Sequence, residues 1–183
     1  MSHVFHRQIK LPLPVAVRGE GIWIYDSEGN KYLDGSGGAA VSALGHSDKG
    51  VRDAVHKQMD TLPFAHSGFF TTDVMEALAD KLTGKAPGHL DHVYYLSGGS
   101  EAMEAALKLA RQYFLEVGQP ERKHFISRRQ SYHGNTLGAL SVGGNQFRRQ
   151  PYEPLLMDVD LISPCHAWRG QQPSETEIDY GNR

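Results

Sequence analysis

Gly98, Gly99 and Ser100 stand between an aromatic run, His92 to Leu96, and a strongly helical one that ends near Val117. The first backbone N–H groups of a helix lack intrahelical partners and carry the positive end of the helix dipole, so an anion such as phosphate settles there. Two glycines let it approach the main chain, at a positive φ if the turn needs one. Ser100 adds a hydroxyl donor or simply caps the helix. A tight strand-to-helix turn with an ordinary serine cap fits the same letters. The stretch has neither the glycine spacing of the dinucleotide fingerprint nor the Gly-Lys-Ser/Thr ending of the P-loop.

A second constellation, Tyr132-His133-Gly134-Asn135, follows the next β-like run. Ligands of parallel α/β sheets gather at the carboxyl ends of strands, so this loop and the Gly98 turn are expected to face one crevice. A flat ring beside a phosphate cradle points to a flat phosphorylated cofactor, whereas a buried edge tyrosine and a core histidine would be the purely structural alternative. Other polar residues carry less. His89 and His92 have a metal-like spacing but no Cys or further His nearby, so no metal site is expected. Cys165 lacks an identifiable base and reads as a small buried residue or an inert thiol. Ser36, Ser97 and Ser100 do not stand in the G-x-S-x-G nucleophile pattern.

These residues need elements to hold them. Alternation on both sides of Ser27-Glu28-Gly29-Asn30 predicts a hairpin carrying Ile22, Ile24 and Tyr32. Val51, Val55, Met59 and Leu62 recur at helical spacing behind Ser47 as N-cap, and Val74, Leu78 and Leu82 do so behind Thr71 and Thr72. Then come a strand over 92–96, the glycine turn, a helix whose buried stripe is Met103, Leu107, Ala110 and Phe114, and a strand over 124–127. That order predicts a βαβ unit and a largely parallel sheet.

The chain has 183 residues, 39% hydrophobic, with a formal charge of -2. This is one core's worth of chain with no basic field for nucleic acid, and Arg128-Arg129 and Arg148-Arg149 read as solvated. A small-molecule partner is expected. The lone Cys165 suits a reducing, cytoplasmic compartment. The N-terminus is too polar for a signal peptide, and no apolar run reaches membrane-spanning length. The polar tail, Gly170 to Arg183, has no cap or closing apolar strand, so the chain reads as cut.

Taken in order, "YLDGSGGAAVSALGH", "YYLSGGSEAMEAALKLAR" and "SYHGNTLGA" resemble the N-terminal part of class III pyridoxal-phosphate-dependent aminotransferases, the ornithine-aminotransferase-like group. The similarity covers nearly the whole chain. It implies an α/β fold of fold type I, mostly parallel in its large domain. Residues 1–47 would form the arm, hairpin and part of the small domain, and residues 48–183 the start of the large cofactor-binding domain.

The resemblance implies that backbone N–H groups at Gly98, Gly99 and Ser100 hold the phosphate of pyridoxal 5'-phosphate. Tyr132 would stack on its ring, with His133 beside it. It also implies a homodimer and a two-stage transfer from an amino acid or amine to a 2-oxo acid or aldehyde. The family's catalytic lysine and the acid that keeps the pyridine nitrogen protonated lie beyond these residues, so no catalytic residue is assigned and the chain alone is expected to be inactive. Two other readings share the cofactor turn: a non-catalytic fragment binding a phosphate compound, and a related aminomutase or lyase.

Substrate selection has thinner support. Asn135 stands where acetylornithine-type members carry an arginine able to clamp a carboxylate, which argues against that subgroup. Ala39 and Ala40 stand where some amine-selective members carry a bulky aromatic, implying a roomier pocket. Phe64, Phe69 and Phe70 would add an apolar wall or else pack in the core.

Overall fold

The computed structural model describes residues 3–183. Two compact units divide the chain, one up to Lys81 and the other from Leu82.

In the first unit β1 (Ala16–Glu20), β2 (Trp23–Asp26) and β3 (Lys31–Leu33) form an antiparallel sheet in that order. Ile24 pairs with Tyr32 across the expected hairpin, while Ile22 falls in the preceding turn. Asp26 closes the hairpin: its carboxylate accepts the N–H groups of Glu28 and Asn30, the Asn30 amide and the Tyr32 hydroxyl, at 2.8 to 2.9 Å. Gly29, at φ 86, permits that turn.

The glycine-rich passage holds a single irregular turn, α1 (Gly37–Ala40), with Gly38 and Ala39 outside helical dihedrals and Ala40 at φ 60. Asp34 fastens it, accepting from Gly37 N at 2.9 Å and from the Ser42 hydroxyl at 2.8 Å, with His46 Nε2 also 2.8 Å away.

Helices α2 (Lys49–Thr61) and α3 (Asp73–Thr83) form where the apolar spacing predicts. Thr72 caps α3 through Met75 N at 3.3 Å. The cap of α2 differs from expectation. Asp48 accepts from Val51 N at 2.8 Å, and Ser47 instead accepts from Gly21 N at 2.9 Å. A carboxylate at the helix's positive end outcompetes the neighbouring hydroxyl, which is drawn to the sheet turn.

In the second unit α4 (Gly99–Glu116) runs to a Val117 cap, with Met103, Leu107, Ala110 and Phe114 half-buried as the stripe predicts. Residues 92–96 form no strand, because no described strand pairs with them and an extended run becomes a strand only through a ladder. The next strand, β4 (Ile126–Arg128), begins two residues later than expected. After it come α5 (Leu137–Ser141), α6 (Gln146–Arg149), a 3-10 turn (Gln150–Leu155) and β5 (Asp160–Ile162). β4 and β5 pair in parallel, Ser127 opposite Leu161. The expected parallel sheet is realised there, across α5 and α6 rather than α4.

The tail carries α7 (Ala167–Gly170) and α8 (Glu177–Asn182), the latter opened by a capping box between Thr176 and Asp179 that sequence reading missed. Among the described residues the buried apolar side chains are Ala139, Leu140 and Val142, all at α5. Arg149 is buried beside them, its Nη1 donating to the carbonyls of Leu140, Ser141 and Gly143 at the end of that helix. Cys165 is exposed, against the buried reading.

Candidate functional site

The second unit brings together the two constellations that sequence reading paired. Gly98 is the N-cap of α4, with no side-chain hydrogen bond to the first turn, and Ala102 N makes the first intrahelical bond, to Gly98 O at 2.9 Å. The N–H groups of Gly99, Ser100 and Glu101 before it have no intrahelical acceptor and point out of the start of the helix, which is the geometry that receives an anion. Gly98 has φ -166, ordinary extended backbone, and Gly99 is not at positive φ either. The two glycines therefore serve space rather than a left-handed turn. A Cβ on Gly99 would meet no atom within 4 Å, so the approach to the first helical turn is open.

Ser100 does not cap the helix. Its hydroxyl donates to Asn135 Oδ1 and accepts from Asn135 N, both at 3.0 Å, tying the start of α4 to the loop after Tyr132 and His133. Gly134 makes that contact possible. It sits at φ 141, and a Cβ there would lie 2.6 Å from Ser100 Oγ and 2.9 Å from Ser100 Cα. One turn further along α4, Glu104 Oε1 accepts from Ala139 N at 3.1 Å. The buried Thr136 hydroxyl, short of a well-directed bond, and the N–H groups of Ala139 and Gly138 hold this carboxyl below the usual range.

Tyr132 is 63% exposed, with the Arg148 guanidinium 5.1 Å from its ring centroid, so it is not the buried edge aromatic of the structural alternative. His133 is half-buried next to it. The residues proposed for substrate contact divide between the units: Asn135 lies in the second, and Ala40, Phe64 and Phe69 lie in the first. Phe64, Phe69 and Phe70 are exposed rather than packed in a core, at 76%, 81% and 66%. His92 pairs with Asp91 at the surface.

Ser100–Asn135 and Glu104 were not read from the sequence as partners. The only available signal was the four-residue spacing of Ser100 and Glu104, which puts two polar groups on one helix face.

Residues 4–175 match the family described as Aminotransferase class-III. An uncharacterized aminotransferase of Schizosaccharomyces pombe is 43% identical over 180 residues, 98% of this chain and 39% of its own length. An uncharacterized aminotransferase of Bacillus subtilis is 37% identical over 179 residues, covering 98% and 40%. The chain thus spans about two-fifths of the length of the curated relatives it matches. Among solved structures, an omega transaminase from Pseudomonas jessenii in complex with PMP superposes with a TM-score of 0.91 at 28% identity, over 100% of this chain and 42% of that one. Its fold is that of the fold-type-I transaminases.

Proposed function

Since the chain belongs to the class-III aminotransferase family, we propose that it forms the phosphate cradle and ring-stacking wall of a pyridoxal-phosphate-dependent transaminase. In this reading the whole protein moves an amino group from an amino acid or amine to a 2-oxo acid or aldehyde. The observation that carries it is the bridge between Ser100 and Asn135, which joins an uncapped helix N-terminus to a loop presenting an exposed tyrosine.

The residues fit the cofactor. Backbone N–H groups of Gly99 and Ser100 would receive the phosphate, through the open space beside Gly99. Gly98 would frame the entrance, where the Glu101 carboxylate, 2.7 Å from the position of a Gly98 Cβ, would have to turn aside for the phosphate; Tyr132 would lie against the ring, and His133 would brace the loop beside it. When bound, pyridoxal phosphate supplies an electron sink for chemistry at the substrate's amino carbon.

This chain's share of the work is binding and orientation. The helix dipole and N–H groups favour the doubly charged phosphate, and the tethered loop limits where the ring can sit. Asn135, a neutral amide, offers a substrate carboxylate much less than an arginine would, which argues against acetylornithine-like partners. Ala40, Phe64 and Phe69 are assigned to the substrate side.

We place residues 1–47 in the small domain and 48–183 in the large domain of the complete enzyme. That enzyme is taken as a cytoplasmic homodimer, the compartment resting on the single cysteine. No helix among the described residues is long and apolar enough to cross a membrane.

The test is amino transfer by the full-length protein supplied with pyridoxal phosphate, using a panel of amines and amino acids with 2-oxo acids and aldehydes. Transfer from at least one donor is expected. Cofactor uptake without transfer to any acceptor would contradict the transaminase assignment.

A further inference from the structure

Helix α4 gives two side chains, one turn apart, to the same loop. Ser100 holds Asn135 at its near end, and Glu104 holds the backbone of Gly138 and Ala139 at its far end. The contact at the far end is close. A Cβ on Gly138 would collide with both carboxylate oxygens of Glu104, so the acid is seated directly against the main chain. Between these points lie Thr136 and Leu137, and just before them lie Tyr132 and His133. Of the two ties, the one made by Glu104 is formally charged.

Resting on the transaminase reading above, we propose that Glu104 is a positioning residue. By anchoring residues 136–139 to α4, it sets where Tyr132 and His133 stand relative to the N–H groups of Gly99 and Ser100. Glu104 lies one helical turn past the cradle and acts only through the loop it holds. With it removed, the bridge between Ser100 and Asn135 becomes the remaining hydrogen-bonded tie from α4, while Gly144 N still binds Ser131 O at 3.1 Å before Tyr132, so the segment between these two ties gains freedom. The cradle would then still receive phosphate while the ring met a displaced wall, so the loss falls on cofactor affinity and ring environment more than on folding.

The experiment uses the full-length protein with Glu104→Gln and Glu104→Ala variants, plus Glu116→Gln as a control that removes the same charge from the exposed end of α4. The amide keeps one acceptor oxygen but turns an NH2 donor toward N–H groups that need acceptors. Three quantities are read: the dissociation constant of pyridoxal phosphate, the visible circular dichroism of the bound cofactor, and the melting temperature of the apoprotein.

Expected are an affinity loss of about tenfold for the glutamine variant, a larger loss for alanine, an altered dichroic band in both, and an unchanged control. The apoprotein of the glutamine variant should still fold, melting lower by about 2–4 °C per kcal/mol of lost backbone bonding. Should the alanine variant fail to fold, the glutamine variant decides alone. Wild-type affinity with a wild-type dichroic band overturns the inference. So does an affinity loss matched by lost thermal stability with an unaltered band, which makes Glu104 merely structural. Wild-type protein that takes up no pyridoxal phosphate contradicts the transaminase reading itself, and the inference falls with it.

Discussion

Ser100 and Asn135, 35 positions apart, exchange two hydrogen bonds of 3.0 Å, the hydroxyl donating to the side-chain oxygen and accepting from the backbone N–H. The serine is thus occupied by the loop, and the cradle rests on main-chain groups. In the full-length protein Ser100→Ala removes both of these bonds, which hold the loop and not the phosphate, and is expected to weaken cofactor affinity by about tenfold. Gly99→Val should fold normally, since nothing stands within 4 Å of the new Cβ, yet lose the cofactor far more severely by filling that space. Cofactor titration alongside thermal melts checks both. Equal losses would mean that the hydroxyl carries the phosphate.

Tyr132→Ala should reduce cofactor retention about tenfold more than Phe114→Ala. Tyr132 is exposed on the loop, whereas Phe114 is half-buried on α4 under the Arg122 guanidinium, 4.8 Å from its ring centroid, and acts through packing. Holo-protein dialysed against buffer and assayed for remaining cofactor separates them. Equal retention would make Tyr132 structural.

Asp26 carries a pH dependence of the hairpin. The Asn30 amide first, then the Tyr32 hydroxyl and the N–H groups of Asn30 and Glu28, overcome desolvation and hold its carboxyl down at about 2. A folded pKa below the unfolded value of roughly 3.9 gives stability that is fully present above that value and is lost as pH falls toward 2. Asp26→Asn should therefore be less stable than wild type at neutral pH, by a gap that closes between about pH 4 and pH 2. Denaturant unfolding of the full-length protein across that range measures it. A gap independent of pH would mean that the carboxylate's charge contributes nothing.

The 183-residue chain by itself should neither transfer amino groups nor unfold cooperatively. Large apolar side chains on α2, α3 and the 64–70 segment are uncovered, among them Met59, Leu78 and Phe69. Calorimetry and a transamination assay on the purified chain are the checks. A sharp heat-absorption peak from a soluble monomer, or turnover above a no-protein control, would count against it.

What was legible in the sequence was what is local. The stripe from Met103 to Phe114, the turn at Gly29 and the pairing of the Gly98 turn with the Tyr132 loop all follow from periodicity, turn chemistry and element order. What stayed hidden depends on partners distant in the chain. Residues 92–96 have strand composition, but a strand exists only with a neighbour. Ser47, expected to cap α2, is instead bound by Gly21 N, 26 positions away, and Asp48 caps the helix. Glu104 reads as an ordinary helical acid until the backbone at 138–139 arrives against it.

The most direct measurement is a crystal structure of the full-length protein with pyridoxal phosphate. The account predicts phosphate oxygens within ~2.7–3.2 Å of the backbone nitrogens of Gly99 and Ser100, the ring against Tyr132, and the Ser100–Asn135 bridge intact. A phosphate bound away from the start of α4, or a ring with Tyr132 turned from it, would contradict the account.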